Sequence, residues 1–154
     1  MATTSILVQA PPERVWDLVT DVTRMGEWSP ETVAAEWLDG ATAAAAGARF
    51  KGRNKRRGSW STKCTVTEAE RGQAFSFEVG RGETRWSYRF SPDDGGCRVT
   101  ESFEIVRRPG PVGRWLTKLG TGVTWAEREA DLVGGMEETL RRLKAAAESE
   151  GSSA

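Results

Sequence analysis

Glu101, Tyr88 and Asn54 are the side chains whose types and spacing could do chemistry in this sequence. Val99, Glu101, Phe103 and Ile105 alternate with polar neighbours, which places a carboxyl group among apolar side chains on one face of a strand. Burying it unpaired would cost several kcal/mol, so it must be paired, protonated or open to water inside a cavity. Trp86, Tyr88 and Phe90 alternate in the same way, and a tight turn between the two runs sets Tyr88 opposite Glu101. A phenol beside a carboxyl of raised pKa is an acid–base pair. With the Asn54 amide, the same pair can instead orient the polar end of an apolar ligand. A plainer reading stays open, in which Glu101 lies near a sheet edge or pairs with an arginine.

The sequence contains no histidine, which removes Ser-His-Asp and Cys-His nucleophile systems, imidazole bases and His-ligated zinc, iron or copper. Two cysteines are too few for a Cys-rich metal site, and neither a metal nor a cofactor is expected. Any catalysis falls to carboxylates, the single tyrosine, lysines or arginines. Twenty-two basic and 22 acidic residues cancel, which argues against nucleic acid or an anionic membrane as a partner held by net charge. The 154 residues suit one core, expected over 1–148, with a disordered polar tail at 149–154. The longest apolar-looking stretch, Ala41–Ala48, is short and interrupted. No bilayer-spanning segment and no secretory leader are therefore expected, the cytoplasm is the default location, and the chain is a monomer or homodimer.

Those side chains need elements to hold them. Ile6 and Val8 mark a first strand, Pro11 and Pro12 open a helix with Val15, Trp16, Leu18, Val19 and Val22 on its apolar face, and Thr23 to Pro30 reads as a second short helix. From Thr32 to Val106 the period is two, with inward rows Val33-Ala35-Trp37, Ala48-Phe50-Gly52-Asn54, Trp60-Thr62-Cys64-Val66, Phe75-Phe77-Val79, Trp86-Tyr88-Phe90 and Val99 to Ile105. One apolar and one wet face is the pattern of an antiparallel sheet. A long helix follows from Val123, or from as early as Gly113, with Ala126, Ala130, Val133, Met136, Leu140, Leu143 and Ala147 at helical spacing.

The turns test the register. Two-residue hairpins at Asp94-Gly95, Arg71-Gly72 and Arg81-Gly82 pair Trp86 with Phe103, Val66 with Phe77, and Phe77 with Trp86, so the inward sets coincide. Only Arg57-Gly58 fails, because it would set Asn54 opposite Ser61, and an odd-length loop or bulge is expected there. The same register separates Cys64 from Cys97 by roughly 30 Å, far beyond disulfide reach, so both are expected to be free and buried.

The sheet must cover its apolar face by curling around the long helix. Its inward rings, Trp37, Phe50, Trp60, Phe75, Phe77, Trp86, Tyr88, Phe90 and Phe103, carry more volume than a tight sheet–helix core needs, so they either hold the helix off and leave a cavity or form an ordinary core. Gly134 and Gly135 let the helix bend or approach the sheet, or break it. Lys51, Arg53 and Lys55 point outward by phase, a solvated face rather than a nucleic-acid surface, and Gly80-Arg81-Gly82 lies in a hairpin, not in a dinucleotide fingerprint.

Pro12, Val15 and Trp16 opening the first helix, with Asp21 and Glu27-Trp28-Ser29-Pro30 closing the second, are one part of a larger pattern. Gly47 through Phe50 to Asn54, the Trp60–Val66 strand, Trp86 to Phe90, Gly95-Gly96 followed by Val99-Thr100-Glu101, and the terminal helix complete it. In these residues the sequence resembles the SRPBCC or START-like superfamily over residues 2 to 147, and more narrowly its polyketide cyclase/dehydrase-like branch. The resemblance implies an α+β helix-grip fold, shared with the birch-pollen allergen family. In it a curved antiparallel sheet of six to seven strands wraps a long C-terminal helix around a cavity for lipids, polyketides or quinones, with two short helices after the first strand. It supplies no universal catalytic residue; the aromatic cyclases of similar fold use pocket Arg, Tyr, Trp and sometimes His to steer an enolate.

Two functions follow as expectations. The first is binding of a small hydrophobic molecule by Trp37, Phe50, Trp60, Phe75, Phe77, Trp86, Phe90, Phe103 and Met136, oriented by Asn54, Tyr88 and Glu101. The alternative is a polyketide cyclase or dehydratase with Glu101 as base and Tyr88 as acid or oxyanion donor. Trp115, Leu116 and Leu119 form either a lid at the pocket mouth or a patch for a protein partner.

Overall fold

A computed structural model describes residues 1–108, 110–122 and 124–152. Strand β1 (Ala2–Val8) leads into helix α1 (Pro12–Thr20), where Pro12 fills a first-turn position that needs no N–H. A 3-10 turn (Val22–Arg24) and a one-turn helix α2 (Met25–Trp28) follow, and the Ser29 hydroxyl ends them by accepting the Thr32 N–H at 3.0 Å. Strands β2 (Thr32–Trp37), β3 (Arg49–Lys55), β4 (Ser59–Glu70), β5 (Ala74–Val79), β6 (Thr84–Asp93) and β7 (Gly96–Ile105) form a meander. Helices α3 (Pro111–Thr121) and α4 (Trp125–Ser152) close the chain.

All seven strands pair antiparallel in the order β1-β7-β6-β5-β4-β3-β2. β1 and β2, neighbours in sequence, thus lie at opposite edges of one curved sheet, and α1 and α2 bridge them. The expected pairs are present: Trp86 with Phe103, Tyr88 with Glu101, Val66 with Phe77 and Phe77 with Trp86. The Arg71-Gly72 turn is not the two-residue hairpin expected: Glu70 pairs with Ala74 across three residues, and a register shift between Val66 and Glu68 restores the Val66–Phe77 pair. Asn54 faces Trp60 and Lys55 faces Ser59, so three residues make the odd-length turn that the Arg57-Gly58 phase demands. Cys64 and Cys97 are free and buried.

Three further expectations are corrected. Val33 is not inward: a register shift between Thr32 and Ala34 turns it outward, 55% exposed. The long helix does not reach back to Gly113, because Gly122 at φ +83° ends α3 in the left-handed region. A capping box then starts α4: the Thr124 N–H donates to the Glu127 carboxylate at 2.9 Å, and the Glu127 N–H returns to the Thr124 hydroxyl at 3.4 Å. Val123 and the side chain of Ala126 lie outside the described residues. Finally, the tail is helical through Ser152, because Glu150 accepts from Arg24 at 3.1 Å and Glu148 accepts the Gln9 N–H at 2.9 Å while pairing with Lys144. Residues 153–154 lie outside the described residues.

α4 is continuous through Gly134 and Gly135, and neither lets it touch the sheet: a Cβ on Gly134 would meet nothing within 4 Å, and one on Gly135 only the Pro30 ring at 3.6 Å. Its C-terminal half buries Met136, Leu140, Leu143 and Ala147 against β1, α1 and α2. In its N-terminal half Ala130 is exposed and Leu132 and Val133 are only half-buried. The helix therefore grips one end of the sheet and stands off the other.

Candidate functional site

The gap beneath the N-terminal half of α4 is a cavity of about 1120 Å³, open to solvent on one side. Its sheet wall carries Phe50, Trp60, Phe75, Phe77, Trp86 and Phe103, and Met136 comes from α4. The rings fit together along the sheet: Phe50 meets Phe77 edge-on at 5.2 Å, Trp86 stacks on Phe103 at 5.4 Å, and Phe75 stacks on Tyr88 at 6.3 Å. Because Phe50, Phe75, Phe77, Trp86 and Phe103 each lean on a neighbouring ring along the sheet, the volume between sheet and helix stays unfilled. Two expected wall residues lie elsewhere. Phe90 is 5% exposed within the packed core beyond Tyr88, and Trp37 rests edge-on against the outer side of Phe50 near the sheet edge.

Tyr88 and Glu101 sit where the cavity meets the packed core. Glu101 is 2% exposed, on a strand flanked by β1 and β6, so it is not an edge residue. Its Oε1 accepts the Tyr88 hydroxyl at 2.8 Å, while its Oε2 has no hydrogen-bond partner among the described residues. Among the described residues no cation pairs with it. Burial pushes the Glu101 pKa up to about 8, against the pull of the Tyr88 hydrogen bond. Burial first, and then the neighbouring carboxylate, raise the Tyr88 phenol well above its ordinary value. The pair is therefore a neutral acid and a neutral phenol near pH 7, bordering the cavity, with one buried acid oxygen left without a partner among the described residues.

Asn54 does not join them. Its carbonyl accepts the Thr32 hydroxyl at 2.8 Å and its amide donates to Thr62 at 3.2 Å, three strands away from Tyr88. It lines the same cavity, but as part of a separate polar cluster.

A charged cluster at the rim has no counterpart in the sequence reading. Arg128 of α4 donates to Glu31 at 2.8 Å and to Asp131 at 2.7 Å, and Arg56 at the end of β3 donates to the same Asp131. Burial pushes the Asp131 carboxyl up, but the two guanidinium groups hold it below the ordinary carboxylate range. These four groups tie α4 to the sheet across the mouth. The Arg128–Asp131 pair at i, i+3 was visible in the sequence; its partners come together only through the fold.

The model of the family described as polyketide cyclase/dehydrase and lipid transport matches residues 2–148. Among solved structures, the chain is similar to a polyketide-cyclase-like protein of Corynebacterium glutamicum, at 29% identity over 93% of this chain and 88% of that one, with a TM-score of 0.57. It is similar in fold to KanY, at 20% identity over 96% of both chains and a TM-score of 0.70. It is also similar in fold to the di-domain ARO/CYC protein StfQ of the steffimycin biosynthetic pathway, at 16% identity, covering 99% of this chain and 46% of StfQ, with a TM-score of 0.67. No curated protein matches. The helix-grip architecture and the match along nearly the whole chain agree, and the chain belongs to the polyketide cyclase/dehydrase and lipid transport family.

Proposed function

We propose that this protein binds a small hydrophobic molecule, such as a lipid, a polyketide or a related compound, in the cavity between the sheet and α4. The observation that carries this reading is the pairing of an aromatic-lined volume of about 1120 Å³ with a buried carboxyl whose Oε2 has no partner among the described residues. Small-molecule sites span roughly 300–1,000 Å³, so the volume suits an elongated or polycyclic ligand. Apolar burial at about 25 cal/mol per Å² drives entry, and a ligand oxygen accepting from the protonated Glu101 fixes its orientation. Native mass spectrometry of gently purified protein, followed by titration of tryptophan emission from Trp60 and Trp86, tests the proposal. A retained apolar ligand with a saturable response supports it; no retained mass and no response to aromatic ketones or lipids rejects it.

One observation favours a second reading, cyclisation or dehydration of a polyketone. A carboxyl with a pKa of about 8 is a suitable general base near neutrality. In its ionised form Glu101 takes a proton from the carbon beside a ketone, and the Tyr88 hydroxyl, freed from that carboxylate, donates to the enolate oxygen. The rate on an aromatic polyketone should then rise with pH toward about 8 and vanish in Glu101→Gln. Unchanged turnover in that variant removes Glu101 from the chemistry and leaves binding alone.

A further inference from the structure

α3 is amphipathic in the inverted sense. Gly113, Thr117, Gly120 and Thr121 recur at helical spacing on the side facing the protein. The Thr117 and Thr121 hydroxyls are satisfied by the carbonyls of Gly113 and Thr117 at 2.9 and 2.7 Å, and a Cβ at Gly120 would come within 3.4 Å of the Trp60 ring. The other side carries Val112, Trp115, Leu116 and Leu119 at i, i+3, i+4 and i+7, exposed by 71, 61, 53 and 54%. A surface helix ordinarily buries such a stripe and exposes its small polar face.

Along the helix and the segment that leads into it the charge is one-sided, although Glu127 lies near Lys118. From Arg107 to Gly122 the chain carries Arg107, Arg108, Arg114 and Lys118 and no acidic residue. The turn between β3 and β4, with Lys55 and Arg57 beside the Arg56 that pairs with Asp131, abuts the end of the helix through the Gly58 N–H, which donates to the Gly120 carbonyl at 2.7 Å. A net charge of zero over the whole chain thus conceals a local basic excess, and the argument from net charge against an anionic surface does not hold for this region.

We propose that α3 docks on the surface of an anionic lipid bilayer, its apolar stripe entering the boundary between headgroups and acyl chains and the basic groups meeting lipid phosphates. A tryptophan-bearing apolar face beside lysine and arginine on a helix of low net hydrophobicity is the chemistry of an interfacial helix. A second copy of the chain fits less well, because an 11-residue helix offers well under the roughly 800 Å² per partner of a stable protein interface. Leu116, Thr117 and Gly120 also border the cavity, so docking turns its mouth toward the bilayer. The proposal stands on α3 and the basic turn beside it and holds or fails independently of any cavity ligand.

Co-sedimentation with phosphatidylcholine vesicles, with and without phosphatidylglycerol, tests it. Binding is expected on the mixed vesicles, weakened by salt and by removal of the anionic lipid. It should fall at least tenfold in Leu116→Asp/Leu119→Asp and roughly fivefold in Lys118→Gln or Arg108→Gln, as expected for about one basic contact each. Melting curves matching the unsubstituted protein show that the variants fold. In the unsubstituted chain, brominated acyl chains should quench the tryptophan emission. Absence of vesicle binding, binding indifferent to the double substitution, or no quenching overturns the proposal. A concentration-dependent dimer broken by the double substitution, without vesicle binding, overturns it in favour of a second copy.

Discussion

The two ends of the sheet are built from the same kind of residue and behave differently. At the packed end Val8, Cys97 and Val99 are fully buried and Phe90 is 5% exposed beneath Leu140 and Ala147 of α4 and the inner face of α1. At the hollow end Trp60, Val79, Trp86 and Ile105 point inward on the same sheet yet are only half-buried, because the helix above them carries Arg128, Asp131, Gly134 and Gly135 instead of large apolar side chains. The difference lies in the helix, not in the sheet: an alternating strand supplies an apolar surface, and whether it becomes core or cavity depends on what the opposing element offers. Tyr88 and Glu101 mark the boundary between the two.

The largest expected contrast comes from ring removal at each end. Phe90→Ala should cost about 3–5 kcal/mol in denaturant unfolding, as for a well-packed phenylalanine, while Trp60→Ala, taken from a cavity wall, should cost about 1–2 kcal/mol. Equal costs would mean that the hollow end is packed in solution.

The boundary carboxyl supplies the next contrast. The folded pKa of Glu101, about 8, lies above its ordinary value of 4.5, so the folded chain holds the proton more tightly than the unfolded one. The stability this brings is complete below about pH 4.5 and is lost as pH rises through about 8, a change on the order of 5 kcal/mol at about 1.4 kcal/mol per unit. Glu101→Gln should flatten that slope and raise stability at the alkaline end. Urea titrations across this range check it; parallel slopes for both proteins would mean that Glu101 is already ionised or solvated.

Glycine replacement sharpens the comparison at smaller scale. A Cβ on Gly96, at the packed end, would fall 2.3 Å from the Val8 carbonyl oxygen, so Gly96→Ala should destabilise by about 1–3 kcal/mol. Gly134→Ala, over the hollow end, should stabilise by up to about 1 kcal/mol through helix propensity. The smallest effect concerns the thiols. Cys64 borders the cavity and Cys97 lies at the packed end, but both are buried and burial pushes the Cys64 thiol up to about 12. A thiol-reactive dye should therefore label neither quickly in the native chain and both on unfolding. Rapid native labelling would show that one site opens.

Much of the fold was legible because strand phase and turn length constrain each other: the turns at Asp94-Gly95, at Arg81-Gly82 and after Lys55 set a register that the structure keeps, while the turn after Glu70 is one residue longer than expected and a bulge restores the Val66–Phe77 pair. Tyr88 and Glu101 were legible for the same reason, being cross-strand neighbours. Asn54 was inward as expected but belongs with Thr32 and Thr62, since strand phase reports the face and not the distance across it. Val33 was misplaced because a bulge leaves no reliable mark in an alternating pattern. The break between α3 and α4 was written in Gly122 and in Thr124 and Glu127, signals that the helical run on either side outweighed. The rim cluster of Glu31, Arg56, Arg128 and Asp131 depends on where α4 lands on the sheet, which no local spacing records.

The central claim is an accessible apolar volume beneath the start of α4, and titration with Nile red, a neutral apolar dye, tests it most directly. Val79 points into that volume and is half-buried, so Val79→Trp should occupy it without loss of a hydrogen bond. Saturable dye binding by the unsubstituted protein, weakened at least about tenfold in Val79→Trp at unchanged folding stability, is the predicted result. Dye binding of equal strength in both proteins, or none in either, would contradict it.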